Sequence, residues 1–308
     1  MKKQVFWLWA VLLLTIPGPA IAKTVRVVTT TEDLAAIARA VGGERVRVDF
    51  IARGVQDPHF IDPKPSYILK LTRADLLVAV GLGLEEGWLP PLLTGARNAR
   101  IRPGGSGYVS ASEGISLIDV PSGRIDRASG DVHGAGNPHY WLDPVNGARM
   151  AQNILSGLIR VDPEGKQHYE ANVRRFREKL DAALEIWSER MRPFQGERVV
   201  TYHKSWPYFL KRFGLTAVDY IEPKPGIPPA TAHLQQLIER IKTEGVRVII
   251  AEPYFDPKIS RFLSEKTGAA VVTLPPSVSE ATGIGDYFAL FDHLSQSLAR
   301  AFERPGGS

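Results

Sequence analysis

Between Gly165 and Pro193 the chain contains neither glycine nor proline, and Tyr169, Val173, Phe176, Leu180, Leu184 and Trp187 recur at spacings of 4, 3, 4, 4 and 3. Those intervals align six large apolar side chains along one stripe of an α-helix. The segment from Pro163 to Arg192 therefore predicts a single helix of about 30 residues, roughly 45 Å long at 1.5 Å per residue. A helix of that length outruns an ordinary domain element and reads as a rigid strut between two lobes.

On both sides of the strut, strand-like and helix-like segments alternate. Before it come strands at Thr24 to Val28, Val46 to Ile51 and Leu76 to Val80, with helices at Leu34 to Val41, Pro65 to Thr72, Glu85 to Leu93 and from Asp143-Pro144 to Ile159. After it come strands at Arg198 to Thr201, Val246 to Ala251 and Ala270 to Thr273. The helices there are Trp206 to Phe213, Ala232 to Glu244, Pro257 to Lys266 and Tyr287 to Phe302. Such alternation predicts parallel sheets covered on both faces. The expected fold is α/β with two lobes, each a mainly parallel sheet flanked by helices, joined by one long rigid helix. The expected divisions are a signal peptide at 1–22, an N-terminal lobe at 23–160, the linking helix at 161–193 and a C-terminal lobe at 194–308.

The signal peptide is read from basic Lys2-Lys3, an apolar stretch from Val5 to Ile16, the breakers Pro17-Gly18-Pro19 and the cleavage-type triplet Ala20-Ile21-Ala22. The remaining chain, roughly 290 residues, is long enough for two cores held by burial alone. It must be so held, because the sequence has no cysteine and so no disulfide. The missing cysteine also argues against a lipid anchor at the cleavage site, and a soluble periplasmic protein is expected. The net charge of +5 is spread without a basic run or a stacking array of aromatics, so no nucleic-acid partner is expected.

Two short segments echo each other: Asp57-Pro58-His59-Phe60 before Asp62-Pro63, and Asn137-Pro138-His139-Tyr140 before Asp143-Pro144. In each, a proline fixes the backbone before a histidine, an aromatic follows to wall it, and an Asp-Pro pair is suited to cap and start a helix. His203 follows the strand Arg198 to Thr201, and ligands of open parallel sheets bind beyond strand carboxyl ends. Three positioned imidazoles without cysteine suggest a metal site at His59, His139 and His203. His168, His233 and His293 fall on predicted helices with polar neighbours and read as ordinary surface residues. His133 reads as a solvated histidine of the Gly104 to Gly136 loop, beside Asp126 and Asp131, with a weaker case for metal collection. Asp286, in Gly285-Asp286-Tyr287, is the best carboxylate for a fourth ligand and equally a plain helix cap. Glu252, at a strand end, competes with it, while Asp62 and Asp143 are assigned to capping.

With these residues in view, the chain resembles the metal-binding receptors of bacterial ABC importers for zinc and manganese, the cluster A-I periplasmic solute-binding proteins. The resemblance spans essentially the whole chain after residue 22. It rests on the two Pro-His segments, the long helix, the strand-end His203 and Gly285-Asp286-Tyr287. It implies two lobes with metal in the cleft, His59 and His139 as N-lobe ligands, and His203 and Asp286 as C-lobe ligands. Members similar to manganese receptors tend to carry a carboxylate where this chain has His203, which points to Zn²⁺ as the transported ligand. Three nitrogens and one carboxylate also suit tetrahedral zinc better than manganese.

The resemblance further implies a monomer, an ABC permease at the inner membrane as partner, and no enzymatic activity. The chain lacks the long histidine- and acid-rich loop of many zinc receptors, which leaves room for a zinc metallochaperone. The rivals are an exported zinc hydrolase with Glu252 as base, a manganese receptor of the same family, and a receptor for an organic ligand. No H-E-x-x-H spacing supports the first.

Overall fold

In a computed structural model, the structure describes residues 24–121, 133–224 and 226–304. The expected signal peptide, Asp126 and Asp131 lie outside these residues.

The first lobe holds strands β1 (Val25–Thr31), β2 (Val46–Ala52), β3 (Leu76–Ala79) and β4 (Tyr108–Ser110), paired in the order β2-β1-β3-β4. The second holds β5 (Arg198–Thr201), β6 (Thr216–Tyr220), β7 (Val248–Ala251) and β8 (Ala270–Thr273), in the order β6-β5-β7-β8. Every pairing is parallel. The two lobes thus repeat one topology, with the strand order reversing at β1/β3 and again at β5/β7. Ligands of open α/β sheets collect at such reversals. Among the described residues no helix is long and apolar enough to cross a membrane.

The helices are α1 (Glu32–Gly42), α2 (Pro65–Arg73), α3 (Leu89–Ala96), α4 (Pro144–Val161), α5 (Lys166–Met191), α6 (Pro207–Phe213), α7 (Thr231–Thr243), α8 (Pro257–Thr267) and α9 (Tyr287–Glu303). The strut appears as α5, extended by a 3₁₀ turn at each end into an unbroken helical run from Pro163 to Phe194. Tyr169, Val173, Phe176, Leu180 and Trp187 are buried along it, while Leu184 is half-buried.

One hydrophobic core runs through both lobes. It joins Val25, Val27 and Val78 of the first sheet to Val199, Val248 and Ile250 of the second, through α5 and the buried face of α9. Separate cores seal the outer faces, under α2 and α3 in one lobe and under α7 and α8 in the other. Because the central core is shared, a wide hinge opening would expose apolar surface at about 25 cal/mol per Å².

Three elements depart from the sequence reading. β6 was not anticipated, because Thr-Ala-Val-Asp-Tyr is an edge strand with no fully buried residue; it lacks the continuous apolar run that marks β3 and β7. Helix α3 begins at Leu89, not Glu85. Buried Glu85 instead accepts from the N–H groups of Val80 (2.7 Å) and Gly81 (3.0 Å), bracing the turn that leaves β3. Finally, Asp62 is exposed and does not cap α2, whose N-cap is Lys64. Asp143 does cap α4, accepting from Val145 N–H, and also takes a bidentate pair of bonds from Arg212 of α6 at 2.7 and 2.8 Å.

Candidate metal centre

The echoed segments prove to be one local device used twice. Asp57 Oδ1 lies 3.0 Å from the backbone nitrogen of His59 and 2.7 Å from its Nδ1. Asn137 Oδ1 stands in the same relation to His139, at 3.0 and 2.9 Å. A single oxygen two residues upstream thus fixes both backbone and ring, and the intervening proline limits the chain between them. Trp88 Nε1 donates to Pro58 O at 2.9 Å and pins the first copy.

His203 is held by a distant partner. Glu222, which follows β6, places Oε2 2.8 Å from His203 Nδ1. β6 brings it there: Ile221 N–H donates to Thr201 O and Glu222 N–H to Tyr202 O, extending the β5–β6 ladder to the residue before the histidine.

All three Nδ1 atoms therefore meet an acceptor oxygen, which places the proton on Nδ1 and leaves the Nε2 lone pair available. One nitrogen from each of His59, His139 and His203 lies within 4.8 Å of the others. The ring centroids are 5.1, 5.3 and 5.4 Å apart. The Nε2 atoms of His59 and His139 are buried without a hydrogen-bond partner among the described residues, a costly state unless something occupies the space between them. At Zn–N distances of about 2.0–2.1 Å, tetrahedral ligand nitrogens sit roughly 3.4 Å apart, so small shifts would bring the three into ligation.

Burial, reinforced by His59, His203 and His133, holds His139 well below the usual histidine range, so its ring is neutral and ready to donate. Burial pushes Asp57 upward, but hydrogen bonds from His59 together with the electrostatic pull of His59 and His203 outweigh it and keep the carboxyl low. Asp57 and Glu222 put two carboxylates behind the imidazoles, able to balance a divalent cation.

The walls differ from expectation. Phe60 is 63% exposed, whereas Tyr140 is fully buried. Trp141, 5.2 Å from His139, and Phe255, 6.1 Å from His203, close the site. A cavity of about 480 Å³ lined by His59, Phe60, Asp62, Gly83, Glu86 and His133 opens beside it.

The structure does not bring Asp286 to the imidazoles. Its Oδ1 accepts from Phe288 N–H (2.9 Å) and Ala289 N–H (2.8 Å) as the N-cap of α9, and it lines grooves with Lys179 and Phe288. Ser279 and Ile284 pair in both directions, closing the Gly283-containing turn that carries Asp286 there. Glu252 is likewise outside the ligand group. Its Oε1 accepts from Ser205 Oγ (2.7 Å) and Trp206 Nε1 (3.0 Å), so it braces the turn just after His203, and burial lifts it to about 8.

His133, expected in solvent, instead stacks on His59 with centroids 5.3 Å and planes 25° apart. Burial, then His59 and His203, lower it to about 4. Sequence reasoning missed the orienting roles of Asp57, Asn137 and Glu222. The first two were signalled by the acceptor side chain before each Pro-His, but Glu222 had no local signal.

The chain is similar to proteins named for both zinc and manganese. It is 26% identical to the manganese ABC transporter substrate-binding lipoprotein PsaA of Streptococcus anginosus over 287 residues, 91% of this chain and 89% of that protein. It is 34% identical to the high-affinity zinc uptake system protein ZnuA of Brucella abortus (strain 2308) over 161 residues, 52% of this chain and 48% of that one. Its fold matches the crystal structure of a 138–173 deletion mutant of ZnuA with zinc bound, with a TM-score of 0.76 and 25% identity. That match covers 93% of this chain and 99% of the other. The family described as ZnuA, zinc-uptake complex component A, periplasmic, matches residues 27–301, and the chain belongs to that family.

Proposed function

We propose that the protein is a zinc receptor that captures Zn²⁺ outside the inner membrane and delivers it to an ABC-type permease, with His59, His139 and His203 as ligands. Members of its family are solute-binding components, not enzymes, and Glu252, turned to Ser205 and Trp206, has no base's position beside the imidazoles. The observation that carries the choice of zinc is the donor set: three imidazoles with their Nδ1 atoms bound and, among the described residues, no carboxylate in the grouped ligand atoms. Neutral nitrogen donors in a compact group suit tetrahedral zinc, whereas manganese favours oxygen-rich, higher coordination. The second reading, a manganese receptor, is favoured by the likeness to the streptococcal lipoprotein over nearly the whole chain.

The proposal extends to a monomeric periplasmic protein, soluble after removal of 1–22, with lobes at 23–160 and 194–308 joined by 161–193. Ligands from both lobes would let bound metal tighten the cleft, and the permease would read that state. Loading by a zinc metallochaperone fits the single histidine, His133, of the region where many relatives carry a longer metal-collecting loop. The test is competitive titration of metal-stripped protein with Zn²⁺ and Mn²⁺ against a chelating indicator, for the natural chain and His203→Ala. Tight one-to-one zinc binding, far weaker manganese binding and a sharp loss in the variant are expected. Preference for manganese, or equal zinc binding by the variant, overturns the reading.

A further inference from the structure

Three imidazoles leave one position of a tetrahedral ion to be filled, and among the described residues no carboxylate joins their ligand atoms. The segment leaving β8 in the second lobe, Leu274-Pro275-Pro276-Ser277-Val278, offers neither carboxylate nor imidazole. The next group at the site is His133.

Its ring covers His59, and its Nε2 is buried without a hydrogen-bond partner among the described residues. A histidine that merely settled on the surface would keep its nitrogens in water, since burying an unpaired polar atom is unfavourable. Its backbone is also fixed. Gly136 N–H donates to His133 O at 3.1 Å, closing a turn, and Asn137 N–H donates to Ile118 O at 2.9 Å. The carbonyl of Asn137 then accepts from Tyr208 O–H of the other lobe at 3.0 Å. His133 therefore sits on the same anchored segment as His139.

Its other nitrogen has a carboxylate in its neighbourhood. A Cβ placed on Gly83 would come within 3.2 Å of His133 Nδ1 and 3.6 Å of Glu86 Oε2. The imidazole and the carboxylate thus border one small space that a side chain at residue 83 would fill. Glu86 is the carboxylate nearest that space, and a change of rotamer would bring it toward His133 Nδ1.

We propose that His133 is the fourth metal contact, its Nε2 completing an all-imidazole site while Glu86 steadies its Nδ1. The ring turns off the face of His59 as the ion arrives from the adjoining cavity. Four neutral nitrogens around one divalent ion bias the site further from manganese. This inference rests on the zinc-receptor reading, and its test separates the two.

The experiment compares the full chain with His133→Phe, His133→Gln and Glu86→Gln, each loaded with Zn²⁺ and, separately, with Co²⁺. Zinc-edge X-ray absorption counts imidazoles, visible absorption of the cobalt form reports the donor set, and indicator competition gives affinity. Phenylalanine keeps a ring to stack on His59 but has no nitrogen. The expected result is four imidazoles in the natural protein, three in both His133 variants with a shifted cobalt spectrum, and zinc binding weakened by about tenfold or more. Glu86→Gln is expected to keep four imidazoles and bind a few-fold more weakly. An unchanged imidazole count and affinity in His133→Phe, or three imidazoles in the natural protein, overturns the proposal and leaves His133 a covering ring. If His203→Ala still loses zinc in that case, the receptor reading survives alone. Failure of the natural protein to bind zinc removes both.

Discussion

Glu222 Oε2 and His203 Nδ1 lie 2.8 Å apart, although 19 residues separate them in the chain. Each of the other two imidazoles is oriented by a residue two positions upstream, so the site combines two locally coded histidines with one that depends on strand pairing. That difference makes the second lobe's contribution the one most sensitive to changes remote from the ligands.

Glu222→Ala leaves His203 free to rotate and its Nδ1–H unpaired. Outer partners of metal-bound histidines typically contribute 10- to 100-fold in affinity. We expect a zinc-binding loss of about that size for Glu222→Ala and a smaller one for Glu222→Gln, which keeps an acceptor. Indicator competition measures both, and unchanged affinity in the alanine variant contradicts the role assigned to Glu222.

Asp57 and Asn137 hold their histidines alike but are not interchangeable. Asn137 Nδ2 also donates to Lys204 O (2.9 Å) and Asp119 Oδ2 (3.2 Å), tying the first lobe to the second. Asn137→Asp loses both donors and faces a carboxylate with a carboxylate, at about 2–4 kcal/mol. Asp57→Asn keeps both accepted bonds and removes one charge. Urea unfolding is expected to show a lower midpoint for Asn137→Asp and little change for Asp57→Asn, while zinc affinity falls in Asp57→Asn.

Asp33, in the first turn of α1, accepts from Ser277 Oγ and Val278 N–H of the second lobe, each at 2.8 Å. Burial lifts its carboxyl to about 7, against the pull of those bonds. The folded chain therefore keeps a proton that the unfolded chain releases near 3.8, so this contribution is complete at acid pH and lost as pH rises through about 7. Between pH 4 and pH 8 the natural protein should lose on the order of 4 kcal/mol relative to Asp33→Asn. The variant comparison matters because Glu252, lifted to about 8, acts in the same direction in both proteins. Denaturant unfolding at the two pH values checks it; a constant difference refutes it.

Gly54 marks where the loop after β2 meets the second lobe. A Cβ there would fall 1.9 Å from Val278 O, and a carbonyl held by Asp33 through its own amide has little room to retreat. Gly54→Ala should cost about 1–3 kcal/mol and weaken zinc binding by prising the lobes apart near His59. A thermal melt alongside the indicator titration tests both parts, and a variant with natural stability contradicts this close approach.

Much of the fold was legible because its signals are local. The strut announced itself through Tyr169 to Trp187, and the central strands β3 and β7 through unbroken apolar runs, since burial on both faces leaves no polar positions. Edge strand β6 was not legible, because a half-exposed strand with mixed side chains resembles a loop. Its omission hid Glu222, whose place at the site follows from the β5–β6 ladder.

The sequence by itself determined the three histidines and the manner in which two are held. An Asx-Pro-His segment carries its own acceptor, turn and ring within three residues, so no distant contact is needed to define it. Only the tertiary structure decided which further side chain lies beside the three histidines. Asp286 and His133 each had a sequence argument, but a helix N-terminus claimed the carboxylate for two backbone amides, while a turn anchored across both lobes laid the imidazole against His59. Which of two candidate side chains reaches a cleft depends on how separate segments pack, and residue spacing along the chain does not encode that.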